Sequence, residues 1–240
     1  MAGVIVLAIE TSTPQMSVAF GNADGVLVSA EVSGIRPRRE AVIPTIEELL
    51  ERSGLELAQV GGIAAGIGPG LFTSLRVGLE SAKALAQVLR IPLVGLSSLD
   101  VLAYSVRHAR RPIASVIDAR RGEVFYSIYR PVPGGVTRVG ENAVASPESL
   151  AADLQALGEE VLAVGNGAVL YREQLEATLG GAVELAPYAL RYPGAATMIE
   201  LALPRFEREE HDELFNVVPL YLRKSDAEIA WDRREAAGQA

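Results

Sequence analysis

Cysteine is absent from the 240-residue chain. That one absence excludes disulfide scaffolds, iron–sulfur clusters, thiolate nucleophiles and cysteine zinc sites. It suits a reducing compartment. Histidine is almost absent: the two are His108 and His211, far apart in sequence. No HExxH or related spacing exists, so an imidazole-rich metal site within one chain is nearly excluded. Lysine occurs only as Lys83 and Lys224, against twenty arginines, which reads as genome composition bias. Long apolar runs are missing too. The longest early run, Val4 to Ile9, has six residues, against about 20 needed to span a bilayer. No basic segment precedes it, so a signal peptide is not expected. The expectation is a cytoplasmic chain without membrane contact.

What is present is ordinary globular material. Hydrophobic residues make up 49% and charged residues 22%, which excludes disorder and low complexity as whole-chain classes. The length gives one to two domains and a sizeable core. Net charge is −8. The first 120 residues carry 11 bases and 11 acids, the last 120 carry 11 and 19, so the imbalance lies in the second half. An acidic chain is poorly suited to gripping nucleic acid unaided, because neutralising phosphates needs clustered cations.

Along the chain, Val4 to Glu10 reads as a buried strand, Thr11 to Pro14 as a turn, and Gln15 to Gly21 and Val26 to Val32 as strands around an Asn22–Gly25 turn. Helices are expected over 40–53, from a cap at Thr73 or Ser74 to about 90, and over 98–108 after Ser97. Strands at 60–67 and 93–96 fall between them. The order βββαβαβα suggests a mixed sheet with helices packed on it. A second series follows: strands 113–119, 122–130 and 136–139, then helices 147–157, 168–179 and 194–209 with strands 161–164 and 183–185 between them. It echoes the first in order, without literal sequence repetition.

Several residues invite a functional reading. Thr11 and Ser12 follow the first strand, where hydroxyls and free amides can hold phosphate oxygens. An ordinary polar turn is the competing reading. Asp118 ends the first strand of the second series, mirroring Glu10, and two such acids could flank a phosphate–metal site. A salt bridge to a neighbouring arginine competes. Gly165-Asn166-Gly167 could admit an adenine base close to backbone, or simply enter a helix with Asn166 as cap. GIGPGLFTSLRVGL, residues 66–79, is neither a Walker A loop nor GxGxxG. The helix after it carries Val77, Gly78, Ser81, Ala82 and Leu85 on a small-residue stripe. With Ile46 and Leu50 of the first helix, this stripe is the expected partner interface, unless it packs on the chain's own sheet.

The blocks VLAIETST, GIGPGLFTSLRVGL, IDARRGEVFYSIY and PLYLRKSD together resemble the TsaB (YeaZ) family, in family order across residues 4–226. The resemblance implies a two-lobed α/β fold of the actin–Hsp70–sugar kinase class, each lobe a mixed sheet with packed helices. The lobes are expected at 1–108 and 109–191. A helix near 194–209 is a candidate to rejoin the first, and 224–240 is expected to form a partly disordered or partner-docked tail. It also implies a non-catalytic subunit for making threonylcarbamoyladenosine next to the anticodon of tRNA. Its partners would be a catalytic paralogue, TsaD, and an ATPase subunit, TsaE. The threonylcarbamoyl group would arrive as an adenylate made by another enzyme, and tRNA would be met only through the complex. A homodimer is expected when the chain is alone. The catalytic paralogues hold a metal through two histidines on the first helix. Here that helix has none, and Arg38 and Arg39 stand at its entrance. No catalytic residue, metal ligand or cofactor is therefore expected on this chain, with ATP and Mg at the level of the complex. Ser12 stands where kinases usually place glycine, so Thr11, Ser12, Asp118, Gly165 and Gly167 form at most a weak or vestigial nucleotide site. The alternative is an independent ATP-dependent small-molecule kinase or ATPase of the same fold class.

Overall fold

The computed structural model describes residues 3–34 and 41–223. Arg38, Arg39 and the 224–240 tail lie outside them. The first sheet contains β1 (Ile5–Glu10), β2 (Gln15–Asn22), β3 (Gly25–Ser33), β4 (Val60–Gly68) and β5 (Leu93–Ser97), in the order β3-β2-β1-β4-β5. The first three are antiparallel, and β1, β4 and β5 are parallel. The second sheet contains β6 (Ile113–Arg120), β7 (Glu123–Val132), β8 (Gly135–Ala145), β9 (Val161–Val164) and β10 (Val183–Leu185), in the order β10-β9-β6-β7-β8. Read from the other edge, it repeats the first topology strand for strand. The echo in element order is thus a duplicated lobe, and the molecule has the two-lobed α/β fold that the resemblance implied.

Alternation along the strands builds the layers. Leu7 and Ile9 of β1 face one core, with α1 (Val42–Ser53) and α2 (Phe72–Leu89). Val6 and Ala8 face another, with α7 (Ala195–Glu207). A strand buried on both faces has to be continuously apolar, which explains the opening run. In β6, Ala114 and Val116 face α4 (Pro147–Ala156), α5 (Asn166–Leu170) and α6 (Arg172–Leu179). Ile113 and Ile117 face Leu99, Leu102 and Ala103 of α3 (Ser98–Ser105). Helix α3 therefore lies between the two sheets and belongs to both cores.

Some sequence expectations shift. Helix α2 begins one residue after Leu71, and neither Thr73 nor Ser74 caps it, because no side chain bonds its free amides. Ser97 precedes α3 but likewise makes no capping bond. The expected helix over 168–179 divides into α5 and α6 at Tyr171. Strand β8 runs to Ala145, longer than its apolar core suggests, because pairing with β7 carries it.

Polar contacts lock the lobes where α3 meets the second sheet. Asp100 accepts Tyr129 Oη at 2.7 Å and Arg138 Nη2 at 2.6 and 2.7 Å. Burial first, then the Asp100 charge, holds the Tyr129 phenol far above its ordinary range, so it stays a donor. A segment after α7 adds a second tie. Leu220 N–H donates to Ile67 of the first lobe, Leu222 packs into the core shared with the second sheet, and Arg223 pairs with Glu123 at 2.5 Å. Asp100→Ala strands a buried phenol and a partly solvent-exposed guanidinium. The expected loss is about 1–3 kcal/mol of unfolding free energy, measurable by urea denaturation; an unchanged midpoint would mean that the apolar contacts of α3 alone hold the lobes.

Candidate functional site

The β1–β2 turn sits where the parallel strands β1, β4 and β5 end, the usual place for a ligand in an open α/β sheet. Its chemistry is turned inward. Thr11 Oγ1 donates to the Ser74 carbonyl at 2.8 Å. The Ser12 amide donates to Glu10 Oε1 at 2.6 Å. Thr13 Oγ1 donates to the Gln15 carbonyl at 3.2 Å, and the Leu71 amide to the Ser12 carbonyl at 2.7 Å. Thr11 is 6% exposed and Ser12 fully buried. In this fold Thr11 Oγ1 and the Ser12 amide are spent within the chain and the loop into α2 covers them, whereas Ser12 Oγ is buried with no hydrogen-bond partner among the described residues.

Two glycines allow this closure. A Cβ on Gly70 would collide with Ser12, and one on Gly78 with Thr11 Oγ1. The expected interface stripe is accordingly divided. Gly78, Ala82 and Ile46 are buried in the chain's own core, so the small residues let α2 approach its own sheet and turn. Val77, Ser81, Leu85 and Leu50 remain half-buried at the rim. The Ser81 hydroxyl bonds back to the Val77 carbonyl at 2.8 Å, which leaves this rim nearly apolar. Substituting a long charged side chain at Ala82 would damage folding rather than association.

The second-lobe candidates are also self-satisfied. Asp118 Oδ1 accepts the Arg120 amide at 2.8 Å, and Oδ2 pairs with Arg120 Nη1 at 3.2 Å. The salt-bridge reading is the one the structure supports. Gly165 (φ +117°) and Gly167 do permit close backbone approach, but the approaching backbone is that of β6 at Val116 to Asp118. Asn166 Oδ1 accepts the Asp118 amide at 3.3 Å, so it ties the two segments together and does not cap α5. Among the described residues, no three His, Cys, Asp or Glu side chains come together as a metal cluster. His108 and His211 are both exposed. A cavity of about 410 Å³ lies between the lobes, lined by Asp100, Tyr104, Tyr129, Arg138, Glu200 and Leu201. It sits near Tyr129, which pairs with Ile113 at the opposite end of β6 from Asp118. Sequence reasoning missed the Asp100–Tyr129–Arg138 cluster, and no spacing marks these three residues in advance.

Glu10 is the buried carboxyl group at the centre. Its second oxygen accepts Ser98 Oγ at 2.9 Å. Desolvation raises its pKa above the ordinary carboxylate value, outweighing the hydrogen bonds from Ser12 and Ser98 that favour the anion. The folded chain thus holds a proton at a pH where the unfolded chain has released it. The associated stability is full below the ordinary carboxylate pKa of about 4.3 and is lost as pH rises through the folded value. Glu10→Gln cannot ionise; its amide oxygen can still accept the Ser12 amide, while the Ser98 hydroxyl turns to accept from its Nε2. The variant's stability relative to the parent should grow as pH rises through that window, read by urea midpoints; a difference constant with pH would contradict the assignment. Gly78→Ala should cost about 1–3 kcal/mol by overpacking, despite the better helix propensity of alanine, with circular dichroism melting as the check.

The comparisons with known proteins agree along the chain. Residues 29–231 match the family model for TsaD, tRNA N6-adenosine threonylcarbamoyltransferase. The chain is 29% identical over 231 residues to the tRNA threonylcarbamoyladenosine biosynthesis protein TsaB of Escherichia coli (strain K12), covering 95% of this chain and 97% of that protein. It is 31% identical over 230 residues to the protein of the same name from Bacillus subtilis (strain 168), covering 94% and 97%. YeaZ from Pseudomonas aeruginosa matches with a TM-score of 0.78 at 30% identity, over 91% of this chain and 100% of that one. With sequence relatives and a solved structure matched over nearly their whole lengths, the chain belongs to the TsaB (YeaZ) family of tRNA threonylcarbamoyladenosine biosynthesis proteins, within the wider family that the TsaD model describes.

Proposed function

We propose that the chain is the non-catalytic partner subunit of the complex that transfers a threonylcarbamoyl group to the adenosine next to the anticodon of tRNA. The observation that carries this reading is the closed β1–β2 turn. Thr11 Oγ1, Thr13 Oγ1 and the Ser12 amide are bonded within the chain, and Ser12, its hydroxyl without a partner among the described residues, is fully buried. A phosphate arriving there would have to displace those bonds and lift the start of α2. The first helix, Val42–Ser53, contains no histidine, so it cannot hold a metal through imidazoles as the paralogues' first helix does. Without such a metal this chain has no Lewis acid to polarise the threonylcarbamoyl carbonyl.

Catalysis then falls to a paralogue of the TsaD kind, with a TsaE-like ATPase as third subunit and ATP and Mg bound at the level of the complex. Contact with tRNA is made through the complex, in keeping with the acidic net charge of −8. The paralogue meets the half-buried rim of Leu50, Val77, Ser81 and Leu85. These side chains are nearly apolar and low, so a partner helix can approach within the usual 8–10 Å interaxial range. The alternative of an independent kinase or ATPase has no solvent-facing Thr11 or Ser12 to work with. No helix among the described residues is long and apolar enough to cross a membrane; we assign the chain to the cytoplasm with its tRNA substrate.

Two measurements test this. A modification assay should show no threonylcarbamoyl transfer by the chain alone and transfer once the paralogue and its remaining partners are added; transfer by the chain alone would sink the proposal. Ser81→Arg should weaken paralogue binding at least about tenfold, equivalent to roughly 1.4 kcal/mol, with an unchanged melting temperature. Undiminished calorimetric affinity would move the interface off this rim.

A further inference from the structure

The cavity of about 410 Å³ between the lobes takes no part in the function proposed above. Helix α7 lines it, and α7 covers the face of the first sheet opposite α1 and α2. Its volume falls within the roughly 300–1,000 Å³ of small-molecule sites. Two prebuilt clusters set its walls. On one side Asp100 holds Tyr129 and Arg138. On the other, the Arg107 guanidinium lies 4.2 Å from the centre of the Tyr104 ring, donates to the Tyr104 carbonyl at 3.2 Å and pairs with Glu200 at 2.7 Å. Leu201 and Pro204 add apolar surface. Groups already held in place cost little to order around a ligand.

The β7–β8 turn preserves this space. Gly134 and Gly135 both line the cavity. Gly134 sits at φ +83°, which favours glycine. Gly135 has no such constraint, and a Cβ there would meet only Tyr104 Cε2 at 3.8 Å, an ordinary contact. Packing does not demand glycine at 135; the missing side chain keeps the volume. Two lining groups also have unspent hydrogen-bonding capacity. Asp100 engages only Nη2 of Arg138, whose Nε has no partner among the described residues, and a third of the Arg138 side chain is exposed. Glu200 is half-exposed and spends Oε2 on Arg107, which leaves Oε1 to accept. The charges of Asp100 and Arg138 cancel, as do those of Glu200 and Arg107.

We propose that this cavity binds a free α-amino acid with a large apolar side chain, taken as its zwitterion. A guanidinium carries five donors in a planar fork, so Arg138 can hold the ligand carboxylate while it keeps Asp100. Glu200 Oε1 accepts from the ammonium at the rim. The ligand side chain rests on Tyr104, Leu201 and Pro204. Charge balance decides the class. A lone anion or cation would enter a partly buried site that is already neutral and would find no net counter-charge there. A zwitterion brings one charge of each sign to a cation and an anion on opposite walls. Its occupant touches α7 of the first lobe and β8 of the second, and so ties the lobes together.

The test is an amide NMR titration of the full chain with phenylalanine, tryptophan and leucine. At least one should bind with a dissociation constant of about 1 mM or tighter, shifting the Gly134 and Gly135 amides. For the tightest of them, the matching acid without the amine and the matching amine without the carboxylate should each bind at least about tenfold more weakly, as should glycine, which lacks the apolar body. Gly135→Leu fills the cavity and should weaken binding by at least about tenfold. Glu200→Gln should weaken the amino acid about threefold and leave the matching acid unchanged. Circular dichroism confirms folding; should Gly135→Leu fail to fold, the half-exposed Glu200 carries the test. Neither variant touches the α1–α2 rim, so paralogue binding should stay as it is, whatever the outcome for the amino acid. No shift at about 10 mM of any of the three would overturn the proposal. So would shifts confined to residues outside the cavity, an acid or amine that binds as tightly as its amino acid, or binding indifferent to both variants.

Discussion

The buried Glu10 carboxylate organises the centre of the molecule. It ends β1 at full burial, takes the Ser12 amide on one oxygen and the Ser98 hydroxyl on the other. A carboxyl group buried there without hydrogen-bond partners would be costly, so the turn curls back to supply an amide and α3 begins beside it. The curled turn brings Ser12 against Gly70 and Thr11 against Gly78, which fixes how closely α2 approaches. Helix α3, anchored through Ser98, then carries Leu99 and Leu102 into the second lobe's core and Asp100 to Tyr129 and Arg138. One carboxylate thus couples the turn, the covering helix and the interlobe helix.

This coupling closes the turn after β1. In the first lobe, the Ser12 amide holds the Glu10 side chain, and the Thr11 and Thr13 hydroxyls hold main-chain carbonyls. In the second, the Asp118 and Gly165–Gly167 segments are tied to each other through Asn166 and β6. What remains for use is surface, the half-buried rim along α1 and α2 included. A chain whose interior is committed to its own packing offers rigid faces at its surface.

Much of the fold could be read from the chain. Val4 to Glu10 is apolar on both faces because α2 and α7 cover both sides of β1, and element order alone carried the second lobe. The stripe on α2 shows where such reading stops. Gly78 and Ala82 at four-residue spacing state that something comes close; they do not state whether it is a partner or Thr11. Gly165 and Gly167 pose the same ambiguity, and β6 is the answer. The Asp100–Tyr129–Arg138 cluster joins residues 29 and 38 positions from Asp100, and no local pattern encodes such a meeting. The division of the 168–179 helix at Tyr171 was equally silent, since both halves keep a helical apolar spacing.

The central claim is that the β1–β2 turn is closed by the chain itself. Calorimetric titration of Mg–ATP into the purified chain addresses it most directly. The account predicts no heat of binding at micromolar nucleotide and no phosphate release. Sub-micromolar binding with turnover would contradict it, because Thr11 and Ser12 would then have to open to solvent and release the contacts on which the rest of the structure depends.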